Sequence, residues 1–306
     1  MRLVFAGTPE VAAPTLRRLA AEHEVVAVIT RTDAAQGRKR VLTPSPVAGV
    51  AEDLGIPVIK TNRLDDRVTA EIAALEPELG VIVAYGGFVR EPLLSTPRLG
   101  WINLHFSLLP RWRGAAPVQH AVIAGDAVTG ASVFQLVAGM DAGPIFQTLR
   151  TPIGAHQTAG SLLDALADEG AGLIAEVVDG LAASTAVATE QTGEPTLAPK
   201  LSLEDARLDW RQGSAEVYQR LRGVTPEPGA FTTIAGERFK ILEAEPARDT
   251  PPLEPGHIRL VDRSPLVGTA DAPLRLLRVQ PAGKKAMAAA DWWRGVSEQT
   301  DEVVAE

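Results

Sequence analysis

The feature that most constrains this chain is an alternation running from residue 3 to about residue 185, in which short β-branched apolar runs are separated by stretches of helical periodicity. Leu3–Ala6 is too short for a helix, and Gly7 breaks it. Thr8 then stands as a helix N-cap with Pro9 at the first helical position, where its missing N–H costs nothing. Val11, Leu16 and Leu19 supply the apolar stripe. Glu24–Thr30 reads as a second buried strand. Ser45-Pro46 opens a helix that Gly55 ends, Pro57–Ile59 is strand-like, and a helix from about Asp65 to Leu75 leads to a strand at Val81–Tyr85. Trp101–His105 is the next strand, residues 129–153 give two more, and residues 158–183 form a long Ala/Leu-rich helix. Such a rhythm predicts an α/β fold with a Rossmann-like open, mostly parallel sheet and helices on both faces.

After about residue 185 the texture changes. Thr189–Lys200 is polar and proline-punctuated, which suits a linker or a strand lying along the surface. Helical periodicity returns from about Ala215 to Arg222. Short strand candidates follow at Ala230–Ile234, Arg238–Ala244, His257–Leu260, Leu266–Thr269 and Leu274–Val279, spaced as in a small β barrel. The expected organisation is therefore a domain over 1–188, a linker over 189–206 and a second domain over 207–306. A length of 306 residues agrees with two domains.

Composition removes several chemistries. There are 30 basic and 38 acidic residues, a formal net charge of −8, so any nucleic-acid contact must come from a local basic patch. With no cysteine, thiol catalysis, disulfides and thiolate metal sites are ruled out. No apolar run reaches the ~18 residues of a membrane span, and the opening has no signal-peptide pattern. A soluble cytoplasmic protein that does not engage a membrane is expected. The chain has no G-x-G-x-x-G after its first strand, no P-loop, no zinc-protease helix pattern and no G-x-S-x-G elbow. What remains is chemistry without a covalent enzyme intermediate, a metal or nucleotide hydrolysis.

The informative stretch runs from Asn103 to Pro117. In a strand, residues two apart share a face, so Asn103, His105 and Ser107 are expected to point the same way at the C-terminal end of a parallel strand, where open α/β sheets place ligands. A single strand histidine is usually a packed core or surface residue, but the neighbouring amide and the strand-end loop favour a catalytic one. Asp141 lies in a Met140–Pro144 turn, where it is either a turn former or a carboxylate partner for His105; distance decides between them. An amide N–H and an imidazolium can both donate to an oxyanion, and a carboxylate can orient the imidazole and raise its pKa. Direct acyl transfer to an amine needs no more than this set.

N-x-H-x-S-L-L-P followed by the M-D-x-G-P-I turn resembles the formyltransferases that use 10-formyltetrahydrofolate. Phe5–Pro9, the continuation Leu108–Pro117, Gln280–Met287, Thr43–Val47 and Ala198–Leu201 resemble the methionyl-tRNA formyltransferase family in particular. The resemblance spans essentially the whole chain. It implies that Asn103, His105 and Asp141 are the catalytic trio and that Ser107, Leu108, Leu109 and Pro110 form the folate-contacting loop. It also implies a basic inserted loop at about 31–44, with Arg38, Lys39 and Arg40 at a tip that contacts tRNA, and an OB-like C-terminal barrel that also touches tRNA. The implied substrates are 10-formyltetrahydrofolate and initiator methionyl-tRNA, with no metal. From the residues alone, Arg38-Lys39-Arg40 is the densest basic cluster of an acidic chain, although such a cluster is also what a solvated loop looks like. Phe106, Ala142 and Thr225–Pro228 depart from the family's common residues, and none is a member of the trio.

Three other activities share parts of this pattern. A formyltransferase acting on an amino-sugar nucleotide or on glycinamide ribonucleotide would keep the trio and the Ser107–Pro110 loop but has no need of the basic loop or the second domain. A hydrolase of the same folate would replace the amine by water. A non-catalytic tRNA- or folate-binding protein has no use for an oxyanion-binding set. No heptads or interface runs stand out, so a monomer is expected.

Overall fold

The computed structural model describes residues 1–37, 39–247, 250–297 and 303–306. The chain separates into two compact units. One comprises Met1–Pro117, Val128–Pro152 and Leu163–Ala198; the other comprises Val118–Ala127, Ile153–Leu162 and Pro199–Glu306.

In chain order the strands of the first unit are β1 (Arg2–Gly7), β2 (Glu24–Thr30), β3 (Ala34–Gln36), β4 (Val41–Thr43), β5 (Val58–Lys60), β6 (Leu79–Val83), β7 (Trp101–His105), β8 (Arg113–Gly114), β9 (Val128–Gln135), β10 (Ile145–Pro152) and β11 (Leu197–Ala198). Seven of them form one sheet in the order β10-β9-β7-β6-β1-β2-β5. β7, β6, β1, β2 and β5 are parallel, and β9 is antiparallel to both β7 and β10. The expected mostly parallel α/β sheet is therefore present. From β1 the chain builds outward through β2 to β5, then crosses back to lay β6 and β7 on the other side. Such a reversal opens a crevice at the C-terminal ends of the strands.

Helices lie on both faces. Val4, Ala6 and Ile29 cluster with Val68 and Ile72 of one helix (Asp66–Ala73) and with Trp101. Leu3, Phe5 and Leu104, also buried, alternate to the other face. There Gly170 of the long helix Ala159–Ala182 lets the backbone approach Leu104; a Cβ at residue 170 would stand 2.9 Å from Leu104 Cδ2. The helices start where local chemistry caps them. Ser45 accepts a hydrogen bond from the Ala48 N–H at 3.1 Å before Pro46–Asp53, and Asp65 accepts from Val68 at 3.0 Å before Asp66–Ala73.

Two local expectations are corrected. Thr8 is not an N-cap: its hydroxyl donates to the Tyr85 carbonyl at 3.2 Å, a short 3-10 turn occupies Glu10–Ala12, and the first helix begins at Ala13 with Pro14 in its first turn. The strand expected at Val81–Tyr85 runs instead over Leu79–Val83, because Ala84 turns to a positive φ of 47°. Gly80 can join this strand because the Trp101 ring fills the place of its side chain, at 2.1 Å from a virtual Cβ.

The second unit is built on an antiparallel sheet of β12 (Phe231–Ile234), β13 (Glu237–Pro246), β14 (His257–Val261), β15 (Ser264–Val267), β16 (Leu274–Pro281), β17 (Met287–Ala288) and β18 (Val303–Val304). Its order is β12-β13-β16-β15-β14-β18, with β17 paired to β16. An isolated bridge joins Ile234, at the end of β12, to Ala305 beside β18. The core gathers Trp210, Leu221, Phe231, Ile241, Leu274, Val279 and Trp293. The five strands read in the sequence are there, within a few residues. The helix Ala289–Ser297 lies beyond the sequence expectations, although Ala289 and Trp293 bury one side of it at i, i+4 spacing. Among the described residues no helix is long and apolar enough to cross a membrane.

Candidate active site

β7 delivers Asn103 and His105 to one face, two residues apart and about 6.6 Å along the strand, at the C-terminal edge beside the crevice. Asn103 is half-buried, and among the described residues no protein group hydrogen-bonds its side chain. His105 is buried between β6 and β9, edge-on to Phe134 with ring centroids 6.4 Å apart.

Beyond His105 the strand stops. The Ser107 N–H folds back to the His105 carbonyl at 2.9 Å, so Ser107 does not continue the Asn103–His105 face as the sequence led one to expect. Ser107 is fully buried, and its hydroxyl donates to the Arg111 carbonyl at 2.6 Å. Ser132 on β9 ties down the same loop: its hydroxyl donates to the Ser107 carbonyl at 2.7 Å and accepts from the Leu109 N–H at 3.2 Å. Leu109 is buried, whereas Leu108 and Pro110 are half-buried. Ser107 to Pro110 is thus a loop whose polar side chain shapes the backbone rather than facing outward.

The loop then returns over the histidine. Trp112 adopts φ +61°, a left-handed conformation that is costly for a bulky residue, and this presents its carbonyl to His105 Nε2 at 2.8 Å. A carbonyl can only accept, so Nε2 carries the proton and Nδ1 holds the lone pair of the neutral ring. Nδ1 lies 3.8 Å from Asp141 Oδ2. The same carboxylate oxygen accepts the Gly114 N–H at 2.8 Å. Asp141 is itself left-handed, with φ +46°, a conformation Asp tolerates better than most residues. Asp141 is thus both a turn former and the carboxylate beside His105.

Burial of the imidazole lowers its pKa below the ordinary 6.5 and outweighs the opposing effects of the Asp141 charge and the Trp112 carbonyl. The Asp141 charge does raise the His105 pKa as the sequence suggested, but loss of solvation outweighs it and the net shift is downward. At rest the Asn103 amide is the trio's ready donor. The imidazole Nδ1 and the Asp141 carboxylate are two adjacent proton acceptors.

A segment the sequence marks only by its polarity completes the frame. Thr196 accepts the Trp112 N–H on its hydroxyl at 2.9 Å and the Arg113 N–H on its carbonyl at 2.8 Å. β11 pairs with β8, and Gly114 fits there because a Cβ would stand 2.7 Å from the Ala198 carbonyl oxygen. Nothing in the composition of residues 189–198 announces this role, since it arises from contacts some 80 residues apart.

The expected basic loop is an antiparallel hairpin, with Ala34, Ala35 and Gln36 facing Thr43, Leu42 and Val41. Lys39 and Arg40 are exposed at its tip, and the Arg40 N–H closes the turn on the Gly37 carbonyl at 3.2 Å. Arg38 lies outside the described residues. The hairpin follows β2, which is parallel to β7 through β1 and β6, so it springs from the same edge of the sheet that carries His105. In the second unit, a cleft of about 600 Å³ is lined by charged side chains, some of which are already held by protein partners. Arg211 pairs with Asp209 at 2.8 Å, and Arg220 donates to the Asp205 carbonyl at 2.8 Å. Among the described residues no three His, Asp or Glu side chains are grouped as metal ligands.

Fold and side chains define an α/β group-transfer enzyme with a donor amide and a histidine–carboxylate pair at the strand edge. The profile described as "Formyl transferase" matches residues 1–178, and "Formyl transferase, C-terminal domain" matches residues 200–297. A methionyl-tRNA formyltransferase of Clavibacter sepedonicus is 63% identical over 306 residues, 100% of both chains. That of Leifsonia xyli subsp. xyli is 60% identical, over 96% of this chain and 97% of the relative. The solved sugar 3N-formyl transferase WlaRD shares the fold at TM-score 0.69 and 14% identity, covering 93% of this chain and 99% of its own. HypX from Aquifex aeolicus, in complex with tetrahydrofolic acid, does so at TM-score 0.66 and 15% identity, covering 98% of this chain and 48% of its own. The chain belongs to the formyl transferase family, in its methionyl-tRNA formyltransferase branch, and is an enzyme of one-carbon acyl transfer.

Proposed function

We propose that this enzyme moves the formyl group of 10-formyltetrahydrofolate to the free α-amine of methionyl initiator tRNA, working in the cytoplasm as a monomer. The observation that carries the reading is the pairing of His105 Nδ1 with Asp141 Oδ2 at 3.8 Å beside the uncommitted Asn103 amide. Support for the substrates comes from the names of relatives that match over the whole chain.

The amine nitrogen attacks the formyl carbon, and the carbonyl π pair moves onto oxygen. Asn103 donates to that oxyanion, in a setting where one such donor is worth ~10²–10³ in rate. The proton lost by the nitrogen passes to the Nδ1–Asp141 pair. The imidazolium so formed, held between Asp141 and the Trp112 carbonyl, stabilises the oxyanion by its positive charge. Collapse breaks the bond from carbon to the folate nitrogen, and that nitrogen takes the proton from the His105–Asp141 pair. The products are N-formylmethionyl-tRNA and tetrahydrofolate, and His105 ends neutral, as it began. Ser107, Leu108, Leu109 and Pro110 shape the folate-binding wall, and Arg38, Lys39 and Arg40 meet tRNA phosphates.

The test is a formyl-transfer assay with purified protein, 10-formyltetrahydrofolate and either initiator or elongator methionyl-tRNA. Transfer selective for the initiator is expected. Free formate, or formylation of a different amine with both tRNAs untouched, would overturn the substrate assignment.

A further inference from the structure

We propose that Gln191 is a positioning residue for formyl transfer, holding the Asp141 carboxylate against His105 from the segment that follows the long helix. Its amide group is fully committed. Nε2 donates to the carbonyl of Asp141 at 2.8 Å and to the carbonyl of Gly143 at 2.8 Å, bridging the turn that carries the carboxylate. Oε1 accepts from Arg113 Nη2 at 2.6 Å and from Arg113 Nε at 3.2 Å. These partners fix the orientation of the amide, since carbonyls only accept and a guanidinium only donates.

Each end of this bridge reaches Asp141 by a different route. One end clamps the main chain of the Asp141 turn. The other fixes Arg113, the residue before Gly114, whose N–H holds Asp141 Oδ2 at 2.8 Å. Gln191 thus controls both where the carboxylate's backbone sits and where its hydrogen-bond donor sits. The rest of the turn is tightly fitted at Gly143, where a Cβ would lie 1.8 Å from the Gln135 carbonyl oxygen. Thr189, two residues before Gln191, anchors the segment by reciprocal bonds to Ile145 at 2.8 Å each. No other side chain would do all of this. Alanine removes both ends of the bridge, and glutamate keeps an acceptor for Arg113 while turning a carboxylate on two carbonyls. Misplacement of a catalytic group by about 1 Å can cost ~10²-fold in rate.

The inference rests on the role given to Asp141 above, and a double-mutant cycle separates the two. Single-turnover formyl transfer to initiator methionyl-tRNA is measured for the full chain as wild type, Gln191→Ala, Asp141→Asn and the double variant, together with KM for the folate and thermal unfolding. Expected is a loss of about 10–100-fold for Gln191→Ala in the wild-type background but less than about threefold on top of Asp141→Asn, with the folate KM little changed. Equal losses in both backgrounds, or no loss in either, would overturn the positioning role. A wild-type rate for Asp141→Asn would instead overturn the catalytic role of Asp141. Should Gln191→Ala fail to fold, Gln191→Glu keeps the tie to Arg113 and serves in its place; the same non-additive loss is expected, and an additive one counts against the proposal.

Discussion

At the scale of single residues, the proposed mechanism turns on the protonation state of His105. Its Nε2 proton is held by the Trp112 carbonyl, and burial pulls its pKa below 6.5, so the working resting form is neutral. As pH falls through the lowered pKa the proton acceptor is lost, so kcat should fall on the acid side. Asp141→Asn removes a charge that raises the His105 pKa, which should move this acid limb to lower pH. The free acceptor amine titrates identically for both proteins, so comparing their pH profiles of kcat/KM isolates the enzyme's own group. A rate that rises as the pH drops below 6.5 would mean that imidazolium is the resting catalyst. The same shift has a stability sign. The unfolded chain takes a proton near 6.5 and the folded one resists it, so the His105 contribution weakens folding as pH falls below that value. The sequence supplied the identity of these residues but not their electrostatics. Asp141 lies 36 residues away along the chain, and nothing local says that loss of solvation would outweigh its charge.

Among the elements, those built from local signals were the legible ones. Glu24–Thr30 and Trp101–His105 are strands over the very residues read, since β-branched and aromatic runs between breakers have few alternatives. Ser45 caps its helix as its position before Pro46 suggested. Thr8 does not cap, because a 3-10 turn at Glu10–Ala12 moves the helix start to Ala13, and no sequence pattern encodes the Tyr85 carbonyl to which its hydroxyl donates. The hairpin of β3 and β4 lies in between: its basic tip was legible, whereas its paired strands are so short and exposed that no periodicity marks them. The hairpin also carries a prediction of its own. Changing Lys39 and Arg40 to Ala should weaken tRNA binding and reduce the slope of log K against log salt by up to about 2, read by filter binding between about 50 and about 200 mM salt. An unchanged slope would remove the hairpin from the tRNA interface.

For the whole molecule, two compact units share one acidic chain, and the proposed chemistry is concentrated at one edge of one sheet. The fold class was legible because alternation over 185 residues leaves a single economical way to bury the strands. The frame around the trio was not, because residues 189–198 reach it by side-chain and backbone bonds that a polar, proline-rich composition conceals. Asn103 stands apart from that frame, with no protein hydrogen bond to lose among the described residues, so the fold should survive its removal. Single-turnover formyl transfer by Asn103→Ala, measured beside its thermal unfolding, is therefore the most direct test of the site. The oxyanion role predicts a loss of at least ~10²–10³ in rate with an unchanged unfolding midpoint. A rate within a few-fold of wild type would contradict it.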